Sequence, residues 1–186
     1  NEAVSRAEQI PAAMQRAGVE FAPIAVNNWR EEYAYSPRAE FRIAHTGDAI
    51  LLHYKVSEQS VRALHTQDNG KVWTDSCAEF FFSPVPGDGT YYNLECNCCG
   101  TVLLGGGKIR PDRGHASVES LQQIDRWATM GREATDVKTG DGTWELALRV
   151  PTEVFFLHKI ETLDGLEAAA NFYKCGDELP TPHYLS

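Results

Sequence analysis

Apolar residues recur at every second position in four separate stretches of this chain, and that period restricts its fold more than any other feature. Ile50, Leu52, Tyr54 and Val56 alternate with Leu51, His53 and Lys55; Ala78, Phe80 and Phe82 alternate with Cys77, Glu79 and Phe81. Tyr92, Leu94 and Cys96 alternate with Tyr91, Asn93, Glu95 and Asn97, and Trp144, Leu146, Leu148 and Val150 with Glu145, Ala147 and Arg149. A strand turns successive side chains to opposite faces, so each stretch predicts a strand with one face on a core. Phe41 and Ile43 against Glu40 and Arg42, and residues 168–173, add two further strands. Breaks at Thr46-Gly47-Asp48, Gly87-Asp88-Gly89 and Gly140-Asp141-Gly142 read as turns, the first closing a hairpin. Gly105-Gly106-Gly107 also reads as a flexible turn, since no phosphate-cradling glycine motif opens a helix there. Residues 118–129 predict a short helix around Leu121, Ile124 and Trp127. Residues 1–28 read as an irregular lead-in, weakly helical from Val4 to Ala17 and interrupted by Pro11. The expectation is one all-β domain over residues 1–186. It is an antiparallel β-sandwich of jelly-roll-like or immunoglobulin-like architecture with one or two short helices.

A chain of 186 residues suits a single core. Its net charge of -9 would repel a phosphate backbone, and no Lys/Arg stripe offsets it, which argues against nucleic acid as a partner. No apolar run is long enough to span a bilayer as a helix. Five cysteines are an odd number, and Cys96-Asn97-Cys98-Cys99 lacks the second half of a zinc site, so the thiols read as packed in the interior. The metal ligands, if any, stay unassigned.

Taken together, the outward strand positions give Arg42, His53, Lys55, Glu79, Asn93, Glu95, Asn97, Glu145 and Arg149, a polar face of mixed sign. Trp73 stands in a polar turn just before one of these strands and Tyr91 opens another. Sugars present hydroxyls that both give and accept hydrogen bonds, together with an apolar C–H face. Carboxylates, amides and cations match the first and a flat ring the second.

The stretch Val72-Trp73-Thr74-Asp75-Ser76-Cys77-Ala78-Glu79-Phe80-Phe81-Phe82-Ser83-Pro84 resembles the family 9 type of bacterial carbohydrate-binding module. So do Tyr91-Tyr92-Asn93-Leu94-Glu95-Cys96-Asn97 with Gly100-Thr101, Trp144-Glu145-Leu146 ending at Val150-Pro151, and Asn171-Phe172-Tyr173-Lys174-Cys175-Gly176-Asp177. The resemblance covers roughly residues 29–186. It implies a jelly-roll-like sandwich whose better-known members grip the reducing end of a glucan or xylan between two tryptophans, often with structural calcium nearby. By the same resemblance Trp73 is the first ring, Glu79 a carboxylate for sugar hydroxyls and Asn171 a late amide. Lys174 stands about where those members carry a tryptophan, which leaves Tyr173, Tyr184 or Trp127 as the second wall. Members of this branch usually run on past His183-Tyr184-Leu185-Ser186 into another tryptophan-bearing segment.

The ligand set expected from sequence is therefore Trp73, Glu79, Asn93, Glu95, Asn97, Arg42, Lys55, Asn171 and Lys174, binding an oligo- or polysaccharide without catalysis. No cofactor is implied beyond a structural calcium, for which Asp88 and Asp141 are turn candidates. A domain of this kind is expected outside the cell, in a periplasm or at a cell surface, with a leader removed before Asn1 and with a partner enzyme or transport protein. Three alternatives stay open. Glu79 and Glu95 could be a glycosidase pair, set about 5 to 9 Å apart. The polar face could dock a protein partner. A haem-binding sandwich could draw on Met14 or Met130 and a histidine.

Overall fold

The computed structural model describes residues 4–186, so the first three positions of the expected lead-in lie outside the described residues. Eleven strands form two antiparallel sheets packed face to face. Their ranges are β1 Ala22–Ile24, β2 Arg38–His45, β3 Ala49–Ala63, β4 Cys77–Ser83, β5 Tyr91–Asn97 and β6 Val102–Gly107. The remainder are β7 Gly114–His115, β8 Asp125–Ala128, β9 Thr135–Pro151, β10 Ala169–Cys175 and β11 Tyr184–Leu185. The five-stranded sheet runs β1-β2-β3-β9-β8 and the six-stranded sheet β11-β10-β4-β5-β6-β7. This is the sandwich that the alternation predicts.

The inward parity holds strand by strand. Leu52, Tyr54, Val56, Trp144, Leu146 and Leu148 of one sheet meet Phe80, Phe82, Tyr92, Leu94 and Phe172 of the other in a single buried cluster. Phe80 lies against Phe82 and Phe172 at ring separations of 5.6 and 5.2 Å. Burial of such rings is the main favourable term, worth about 1.5–3 kcal/mol for each large side chain.

Three local expectations need correction. Residues 118–129 do not make one helix: α2 (Val118–Leu121) ends after one turn, and Arg126 and Trp127 enter β8 to pair with β9. Pro11 does not interrupt the lead-in helix. It occupies the first turn of α1 (Ile10–Arg16), where a missing N–H costs nothing. Gly105 and Gly106 are not a turn but interior residues of β6, paired with Asn93 and Tyr92. A Cβ on Gly106 would stand 2.8 Å from the Tyr92 ring, so glycine is required by close packing and not by flexibility.

The two sheets differ in what covers their outer faces. On the five-stranded sheet, α1 and the segment after it lie across β3 and β9, burying Val4, Ile10 and Met14 against Leu51 and Ala147. Among the described residues, no helix covers the outer face of the six-stranded sheet in this way. Instead the loops before and after it rise along its edges, the first held by Val26 and Ser186 exchanging backbone hydrogen bonds at 2.9 and 3.0 Å.

Candidate functional site

On this second face β4 and β5 set Glu79 directly opposite Glu95, with Asn93 one pleat away. The Asn93 amide donates to Glu79 Oε2 at 3.0 Å and to Glu95 Oε1 at 2.7 Å. Among the described residues, Asn93 Oδ1 and Glu95 Oε2 are buried with no hydrogen-bond partner. A buried polar atom left open costs free energy unless something else supplies its hydrogen-bond partner. Burial, reinforced by the neighbouring Glu79 charge, pushes the Glu95 carboxyl up to about 8. Burial also raises Glu79, against the Cys175 thiol and the Asn93 amide, which both favour its ionised form.

These three residues form the floor of a cleft of about 570 Å³. Aromatic residues surround it: Phe81, Tyr91 and Tyr173 from the sheet, and Trp29, Tyr33, Trp73 and Tyr184 from the loops and the last strand. Phe81 lies between Tyr91 and Tyr173, with ring centroids 6.1 and 5.1 Å away. Tyr184 takes Tyr33 edge-on at 4.7 Å and Trp29 at 6.0 Å, and burial together with the nearby Asp177 charge raises its hydroxyl. Arg110, Arg113, Asp177 and Glu32 complete the lining. The Arg113 guanidinium lies 5.6 Å from the Tyr91 ring centre, over a sheet surface cleared of side chains at Gly105.

Of the residues expected from sequence, Trp73, Glu79, Asn93 and Glu95 converge in this cleft. Trp73 also packs on the buried cluster of Val72, Cys77, Leu103 and Cys175, so its ring is both anchored and available. Five others lie elsewhere, and Arg42 and Lys55 stand on the opposite sheet. Arg42 is buried, donating to His53 Nδ1 at 3.0 Å and to the carbonyls of Pro11 and Val19 at 2.7 and 3.2 Å, which clamps the lead-in onto the sheet. Lys55 sits 3.7 Å from Glu145 and 4.9 Å above the Phe21 ring. Asn97 is wholly buried and builds a turn: its Oδ1 accepts from the backbone N–H of Cys99 and Thr101, and its amide donates to His65 O and Asp75. Lys174 points inward, fully buried, with Nζ 2.9 Å from Glu58 Oε2 and 2.7 Å from His183 Nε2. Asn171 is exposed on the cleft's sheet but outside the cleft, its Oδ1 accepting from Phe172 N–H. Tyr173 and Tyr184, two of the three suggested second walls, do line the cleft, whereas Trp127 packs beneath the lead-in helix.

The sequence reading passed over Tyr33, Arg110, Arg113 and Asp177 and assigned Trp29 no role in the site. All five lie outside the strands, and no strand period marks them. The spacing of Trp29 and Tyr33 in a polar segment was the one available signal.

Among the described residues, no group of three or more His, Cys, Asp or Glu side chains is placed to hold a metal ion. Asp88 instead holds its turn through Thr90 N–H at 2.6 Å and binds His158 at 3.0 Å, and Asp141 accepts from Thr143 N–H. All five cysteines are buried and unbridged. Among the described residues, no helix is long and apolar enough to cross a membrane. A larger cavity of about 920 Å³ lies between α1 and the five-stranded sheet, but no Trp, Tyr or Phe lines it, and its Arg149 and Asp48 pair with each other at 2.8 Å.

The model of carbohydrate-binding family 9 matches residues 8–186. The chain belongs to carbohydrate-binding family 9. A candidate carbohydrate-binding protein from Bacteroides uniformis is 48% identical in sequence, with a TM-score of 0.95 over all of this chain and 84% of the other. A family 9 module from Caldicellulosiruptor kristjanssonii in complex with cellotriose superposes with a TM-score of 0.58 at 10% identity, covering all of this chain and 79% of that one. The glucose complex of a family 9 module from the same organism gives 0.56 at 9% identity over 91% of this chain and 74% of the other. At that identity the likeness speaks for the fold alone. No curated protein sequence matches this chain. The family membership bears out the resemblance carried by the Trp73 and Tyr91 segments.

Proposed function

We propose that the cleft on the six-stranded sheet binds a saccharide without chemically altering it. Trp73, Tyr184 and the Tyr91–Phe81–Tyr173 rank would stack on sugar rings, while Glu79, Asn93 and Glu95 share their hydroxyls. The observation that carries this reading is the floor itself: Asn93 Oδ1 and Glu95 Oε2 are buried polar atoms with no hydrogen-bond partner among the described residues, inside a ring of aromatic side chains. A sugar hydroxyl would satisfy each of them. The volume lies within the range of about 300–1,000 Å³ usual for small-molecule sites.

Catalysis is disfavoured by the same geometry. Both carboxyls hydrogen-bond the Asn93 amide nitrogen on one floor, an arrangement that sets them together beneath a seated sugar and not on opposite sides of its glycosidic bond. Our reading is of a module that holds saccharide for a partner enzyme or transport protein in polysaccharide breakdown or uptake.

Glucose and cellotriose, the ligands of the Caldicellulosiruptor complexes, are the first to try. Titration calorimetry of the native chain against a panel of mono- and oligosaccharides should give saturable binding with a Kd between about 1 μM and 1 mM. Silence across a panel that includes acidic and amino sugars would overturn the proposal.

A further inference from the structure

Beneath the Trp73 wall, Cys77 of β4 and Cys175 of β10 are direct register partners in adjacent antiparallel strands. Both take the outward parity of their strands, and each thiol is near enough to perturb the ionisation of the other. Partners in an antiparallel ladder have Cα atoms about 4.5 or 5.5 Å apart, and both spacings fall within the range that a disulfide spans. Together with Val72 and Leu103 they form the small buried cluster on which Trp73 and Tyr184 rest. Cys175 Sγ also contacts Glu79 Oε1 at 3.1 Å, which ties the pair to the cleft floor.

We propose that Cys77 and Cys175 are a thiol–disulfide site, closing to a cross-strand bridge under oxidising conditions and locking β10 to β4 beneath the cleft. The oxidant is a low-molecular-weight disulfide such as oxidised glutathione. One cysteine thiolate attacks it, forming a mixed disulfide and releasing one thiol. The second cysteine displaces the other half, so one Sγ–Sγ bond forms, the oxidant's S–S bond breaks, and both thiol protons leave with the two released thiols.

Burial pushes the Cys77 thiol up to about 11, so exchange in the closed fold is slow and proceeds when the edge opens. The edge is weak at the right place, since β10 is covered there only by the two residues of β11, paired at Lys174 and Cys175. Of the remaining thiols, Cys96 sits opposite Ala78 and faces inward to the main core, and adjacent Cys98 and Cys99 are the competing pair.

The test is to refold the full reduced chain in a mixture of reduced and oxidised glutathione, block free thiols in denaturant and map the peptides. A mass lower by two hydrogens, three alkylated cysteines and a Cys77–Cys175 linked peptide would support the proposal. The bridge closes a loop of roughly 100 residues, so the melting temperature should rise by at least about 5 °C and fall back on reduction. Five alkylated cysteines at every redox ratio would overturn it, as would a bridge confined to Cys98 and Cys99. Cys77→Ala and Cys175→Ala should each abolish the redox-dependent rise in melting temperature; a rise retained in either variant would also overturn it. Since the readouts are mass and melting temperature, the result is independent of whether the cleft binds sugar.

Discussion

The outer faces of the two sheets carry the same kind of residue in the same strand positions, yet they have opposite fates. On the five-stranded sheet, Arg42, His53 and Glu145 form a closed chain, with Arg42 Nε 3.0 Å from His53 Nδ1 and His53 Nε2 2.7 Å from Glu145. The lead-in helix supplies acceptors for what remains of Arg42. On the six-stranded sheet, Glu79, Asn93 and Glu95 form an equally tight group that ends in buried polar atoms with no partner among the described residues. A polar strand residue is structural when its neighbours complete its hydrogen bonds and available for a ligand when they do not. Parity alone does not separate the two.

The largest effect that can break this comparison concerns Lys174, expected from sequence as a ligand and found in the interior. Lys174→Ala would leave the Glu58 carboxylate, fully buried, without its ion-pair partner. Breaking such a pair costs about 3–5 kcal/mol, which a urea denaturation curve would register directly. Native stability combined with loss of saccharide binding would return Lys174 to the ligand set. Its inward direction was in fact legible. Phe172 is a core residue two positions earlier, so strand parity sends Lys174 to the same side.

The next effect is in pH. Glu95 has its usual value near 4.5 when unfolded and about 8 when folded, so between those values the folded chain holds a proton that the unfolded chain has lost. Its contribution to stability is therefore full below about 4.5 and falls as pH rises towards 8. Burial lowers His53 to about 4 and His183 to about 3, which gives the opposite slope: stability is gained as pH rises from there to 6.5, then levels. Glu95→Gln should remove the alkaline decline. Its advantage over the native chain should reach on the order of a few kcal/mol at pH 8 and shrink as pH falls. An advantage independent of pH would mean that Glu95 is ionised throughout.

A smaller effect tests the open face. Trp73→Ala should weaken saccharide binding at least tenfold, about 1.4 kcal/mol. Because the ring rests on the Val72 cluster, some stability should be lost too, which calorimetry at 10 °C separates from the loss of affinity. Unchanged affinity would move the sugar away from this wall.

How much of this the sequence discloses follows from what strand periodicity encodes. It gives the sandwich, the hairpin and the inward residues, because those depend on local parity. It also brings Glu79, Asn93 and Glu95 together, since β4 and β5 follow one another with only a turn between. It does not say which of two outer faces a strand belongs to, and so Arg42 and Lys55 were grouped with residues on the other side of the molecule. Nor does it place loop residues. Trp29 and Tyr33 reach the cleft through backbone pairing of Val26 with Ser186, a contact spanning nearly the whole chain. Arg113 reaches it because β7 pairs with the glycines of β6. Asn97 looked outward by parity, but it ends its strand and spends all its hydrogen-bonding capacity on the turn that follows.

The smallest effect is also the cleanest test of the split between faces. Lys55 is 44% exposed in its side chain, pairs loosely with Glu145 at 3.7 Å and hovers over Phe21. An exposed pair of this geometry contributes about 0–1 kcal/mol, and salt screens it further. Lys55→Ala should change stability by no more than about 0.5 kcal/mol and leave saccharide affinity unaltered, because the five-stranded sheet stands between it and the cleft. The companion change, Asn93→Ala, is equally short in chain length but removes the amide bridging Glu79 and Glu95, and it should reduce affinity well beyond the error of a titration. If Lys55→Ala weakened binding as much as Asn93→Ala, the sugar would lie on the closed face. The hydrogen bonds completed there by the lead-in would then have to open for it.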